Sequence, residues 1–149
     1  MTITPSGLDE SGRERPLRAA EALEIPGAGG YLGVFGRAVG VDLTTGGKTA
    51  LFVVPAGKKA VVVGVVVRIA AGVGSVSDAD CGVGTNAAAD NMIPSTTLGG
   101  LAVSDDAVRL FPAGGFILGL SGETINFEVD IPAGASLLDA DVDLLGYLL

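Results

Sequence analysis

KAVVVGVVVRIAA, residues 59–71, is the stretch on which the fold turns. Val61, Val63, Val65, Val67 and Ile69 make its odd positions apolar, and Val62 and Val66 add even ones. β-Branching on most of these residues restricts χ1 and disfavours a helix. A short apolar run on both parities fits a central strand covered on both faces.

Two later stretches alternate instead. In residues 123–131, Ile125, Phe127, Val129 and Ile131 share one face, and Thr124, Asn126, Glu128 and Asp130 share the other. In 138–144, Leu138, Ala140, Val142 and Leu144 point one way, and Asp139, Asp141 and Asp143 the other. Period two of this kind reads as a half-buried antiparallel strand. Further short runs are predicted at 50–54, 107–111 and 115–120, with apolar pieces in 91–103 and a more polar stretch at 75–84.

An apolar residue followed by Pro-Ala-Gly recurs at 54–57, 111–114 and 131–134, each time closing a run. Pro cannot donate a ladder hydrogen bond, so the strand must stop. The expected turn places Pro second and Gly fourth, as in type I. Unequal spacings exclude a solenoid or propeller. The whole predicts an all-β fold, an antiparallel β-sandwich of seven or eight strands, jelly-roll-like in topology, over residues 41–149.

Residues 1–40 read differently. Charge is dense up to Glu24, and a Gly-rich stretch, IPGAGGYLGVFGRAVGVD, follows. Pro16 suits the first turn of a short helix over 16–24. The rest is expected to be an extended N-terminal arm. Tyr31, Leu32, Val34 and Phe35 are its large apolar residues and need a partner, either the body of the same chain or a neighbour. Arg13, Arg15 and Arg18 give it a basic stretch among acids.

Composition limits the chemistry. The 149 residues suit one domain. Net charge is −8, which disfavours nucleic acid because phosphate binding depends on Lys and Arg. Mean hydropathy is +0.56. Yet the longest strongly apolar stretch, 60–67, falls far short of the ~20 residues of a membrane-spanning helix. A chain this apolar is expected to hide surface in an oligomer. The N-terminus has no apolar core of the secretory-signal kind.

There is no histidine and one cysteine, Cys81. This removes Ser-His-Asp and Cys-His triads and any Cys/His zinc site. Acidic neighbours in SDADCGVG disfavour a Cys81 thiolate. The carboxylates of Asp139, Asp141 and Asp143 lie ~7 Å apart on a strand and cannot converge on one calcium ion by themselves. They are expected to form a solvated face. Gly47-Lys48-Thr49 lacks the earlier glycine of a Walker motif, since Asp42 stands there, and a strand follows it. With no Trp, sugar stacking is disfavoured. No catalytic residue, cofactor or metal is expected.

The segment KTALFVVPAGKKAVVVGVVVRIAAG with the closing DADVDLLGYLL resembles small structural proteins of tailed bacteriophages. Among these, capsid decoration (cement) proteins are nearest in size and plan, joining an N-terminal arm to a jelly-roll body. The resemblance covers about residues 41–149. It implies a virion protein on the capsid surface, a homotrimer that clamps the major capsid protein and has no catalytic residues. In that role Arg13, Arg15, Arg18, Tyr31, Leu32, Val34 and Phe35 would be the arm's partner-binding residues. A phage tail, fibre or baseplate component is the alternative, motivated by expected loop material between Ser75 and Asn91. A carbohydrate-binding module is the third reading.

Overall fold

The computed structural model describes residues 6–8, 14–16, 24–25, 30–31, 33–73, 79–99, 101, 103–115 and 117–149; for residues before 33 and for 73 it describes the backbone alone. Among these residues every regular element is a strand. Four short ones come first: β1 (Ser6–Leu8), β2 (Glu14–Pro16), β3 (Glu24–Ile25) and β4 (Gly30–Tyr31). They pair antiparallel as β1–β2 and β3–β4. The helix expected over 16–24 falls mostly outside the described residues, and its two ends, Pro16 and Glu24, belong to strands.

The body is an antiparallel β-sandwich. Its strands are β5 (Gly33–Asp42), β6 (Gly47–Val53), β7 (Ala60–Val73), β8 (Asp80–Gly84), β9 (Ile93–Thr97), β10 (Ala107–Leu110), β11 (Ile117–Gly119), β12 (Thr124–Ile131) and β13 (Leu137–Leu148). One sheet runs β10-β7-β13-β5, with β11 beside β7 at the other end of the same edge. The other runs β6-β12-β8-β9. The first body strand thus pairs with the last and the second with the next to last, which is the winding of a jelly roll.

β7 is a central strand, as its composition predicts, between β13 and the β10/β11 edge. Its inward residues Val62, Val65, Val67 and Ile69 are completely buried. They meet Leu138, Ala140, Val142 and Leu144 of β13 and, from the facing sheet, Ile125, Phe127, Val83 and Cys81 in one core. Its outward face is covered only in part. Val61 is buried there and Gly64 lies under the Phe111 ring, whereas Arg68 and Ala70 are exposed.

The alternation of β12 holds through Val129 and then breaks. A register shift separates Val129 from Ile131, and Ile131 is 52% exposed instead of inward. A bulge inserts one residue and inverts the side-chain parity beyond it.

The Pro-Ala-Gly turns differ from expectation in detail. Lys58 N–H donates to the Pro55 carbonyl, so Pro55 is first in the turn and Gly57 third, with φ +74°. That positive φ at the third position is a type II requirement which glycine meets without strain. Pro112 is also first, bonded to Gly115 N–H. At the third copy, Ala133 N–H bonds instead to the Leu43 carbonyl.

The stretch at 33–42 is the main departure from the sequence reading. It is β5, registered against β13 from Asp42↔Asp139 to Gly33↔Gly146. The arm boundary drawn at residue 40 therefore falls inside a body strand. Two bulges in β5, opposite Ala140–Val142 and Leu144–Leu145 of β13, each add a residue and break its alternation, which is why the sequence reads as irregular.

Candidate interaction surface

The outer face of the five-stranded sheet can be rebuilt from its register. At the end where the chain joins β5, Leu118, Val61 and Tyr147 lie side by side on β11, β7 and β13. In the next row Val34 opposes Leu145, which opposes Gly64. The Phe111 ring closes over Gly64, whose missing side chain leaves room for it. Val34 is 50% exposed, Phe111 57% and Leu118 41%, and Leu145 and Tyr147 are half-buried. A contiguous group of large apolar residues on a sheet face marks an interaction surface more often than scattered ones do. A shallow, open cavity of about 390 Å³ beside Val34, Phe35, Gly36 and Arg37 adjoins it.

The same face becomes charged along the strands. The next row holds Arg109, Val66, Asp143 and Arg37, and the one after it Ala107, Arg68 and Asp141. Arg37 forms a two-pronged ion pair with Asp143, one prong being Nη2 to Oδ2 at 2.9 Å. The Asp143 carboxylate raises the Arg37 pKa, by hydrogen bond first and by charge second. Arg68 Nη2 lies 2.6 Å from Asp141 Oδ2. The Arg109 guanidinium sits 5.9 Å from the Phe111 ring centroid, within cation–π range. The Asp141 and Asp143 carboxylates are thus aimed at arginines of flanking strands, not at one another. Farthest along, Asp42 and Asp139 oppose each other. The Asp42 carboxylate accepts from Thr44 N–H and from the hydroxyls of Thr44 and Thr45, and these bonds hold its pKa below the usual carboxylate value.

The predicted arm residues divide three ways. Arg13, Arg18 and Leu32 lie outside the described residues. Arg15 sits on β2 and Tyr31 on β4, where the backbone alone is described. Val34 and Phe35 belong to β5 and point apart. Val34 faces outward into the apolar rows. Phe35, at the bulge, turns into the corner between the sheets and meets Phe52 edge-on, centroids 4.9 Å apart. Gly36 makes that corner possible: a Cβ there would stand 2.7 Å from the Leu51 carbonyl oxygen. Phe35 is therefore spent inside its own chain. Reading the sequence alone misses Phe111, Leu118, Leu145 and Tyr147, because only the register of strands distant in sequence brings them together.

Elsewhere, the cysteine singled out for chemistry is packed away. Cys81 is buried, and desolvation, then Asp80 and Asp130, pushes its thiol up to about 12. The thiol stays protonated at neutral pH and is a poor nucleophile. The span expected to be loop, 75–91, contains the core strand β8, with Cys81 and Val83 fully buried. Glycines 82 and 84 on its outward face hid that strand in the sequence. The turn at 85–91 folds over them, its Asn86 side chain accepting from Asp90 N–H at 2.9 Å and Asn91 accepting from Thr85 N–H at 2.8 Å. Lys48 of β6 reaches across to the Ala87 carbonyl. Among the described residues, no group of three His, Cys, Asp or Glu side chains is placed to hold a metal ion.

No family model, curated protein or solved structure matches the chain.

Proposed function

We propose that this chain is a virion structural protein of a tailed phage, a capsid decoration protein that binds and stabilises the head lattice by contact alone. The observation that carries the reading is the division of labour in the chain. A rigid sandwich presents an apolar half-face, and the segment 1–32 joins β5 at that same end, at Gly33 next to Val34. The resemblance of residues 41–149 to decoration proteins supplies the partner, the major capsid protein, and the homotrimer. The arm, with Arg13, Arg15, Arg18, Tyr31 and Leu32, lies across neighbouring capsid subunits in this reading. Weak single contacts suffice, because several arms on one oligomer act together.

The test is direct. Purified protein is mixed with undecorated heads of the phage that encodes it and pelleted. The proposal expects saturable co-sedimentation and heads that withstand higher temperature before releasing DNA. Protein that stays in the supernatant at every concentration retires it.

A further inference from the structure

We draw no further inference here: the strongest candidate, the apolar half of the outer β10/β11-β7-β13-β5 face around Val34, Leu118 and Leu145, carries nothing, because Arg37, Arg68 and Arg109 at its border are matched by Asp105, Asp141 and Asp143 and nothing in the structure shows what covers it.

Discussion

Phe35→Ala separates a core residue from an arm anchor. Phe35 packs against the core at the corner between β5 and β6, edge-on to Phe52. Truncating a core phenylalanine costs about 3–5 kcal/mol. Phe35 is only partly buried, so a smaller loss of about 2–3 kcal/mol is expected here. About 0.5–1.5 kcal/mol of it belongs to the ring pair. A double-mutant cycle with Phe52→Ala isolates that part. At this chain length each kcal/mol moves the midpoint by about 2–4 °C, giving a fall of roughly 4–12 °C. Urea unfolding followed by circular dichroism reads the first quantity and a thermal melt the second. Val34→Ala, one residue away but on the exposed face, should change stability by less than about 0.5 kcal/mol. A Phe35→Ala variant as stable as wild type would refute the placement and return Phe35 to the arm.

Other outcomes follow from single sites. Gly146 has φ +156°, and a Cβ there would collide with the Val61 carbonyl and the Phe35 ring; Gly146→Ala should cost about 3 kcal/mol or more, while Gly33→Ala, in open space, should be neutral or slightly stabilising. Cys81, buried with its thiol pushed up to about 12, should resist a thiol reagent at pH 8 until the chain unfolds; rapid native-state labelling would contradict this. Asp42 has a lowered pKa in the folded chain, so its contribution is present above the unfolded carboxylate value and fades as pH falls through the folded one. The stability gap between wild type and Asp42→Asn should be flat from neutral pH to about 5 and shrink below about 4; a gap that widens in acid would be inconsistent with those Thr44 and Thr45 bonds.

How much could be read from the residues depended on whether alternation survived. β12 and β13 were legible because Ile125, Phe127 and Val129, and then Leu138, Ala140, Val142 and Leu144, keep period two without interruption. β7 was legible from valine density alone. β5 was not, because two bulges and three glycines scramble its parity and its apolar residues mimic a free arm. β8 was hidden by glycines that stand where outward side chains would otherwise show a pattern. The candidate surface was the least legible part. Phe111, Leu118 and Leu145 meet only because β10, β11 and β13 come to β7 and its neighbours from distant parts of the chain, and pairing register is a tertiary property. Of the predicted binding residues, Val34 lies on that surface and Phe35 lies beneath it.

The placement of β5 also sets where the arm can be cut. Removal of residues 1–40 would strip most of an edge strand from β13, whereas removal of 1–32 stops before its first residue. Pelleting full-length and 1–32-deleted protein with undecorated heads therefore decides whether a folded body depends on its arm to hold a capsid. The truncated chain is expected to keep a cooperative melt and remain in the supernatant while the full chain pellets. Equal pelleting of the two proteins would contradict it.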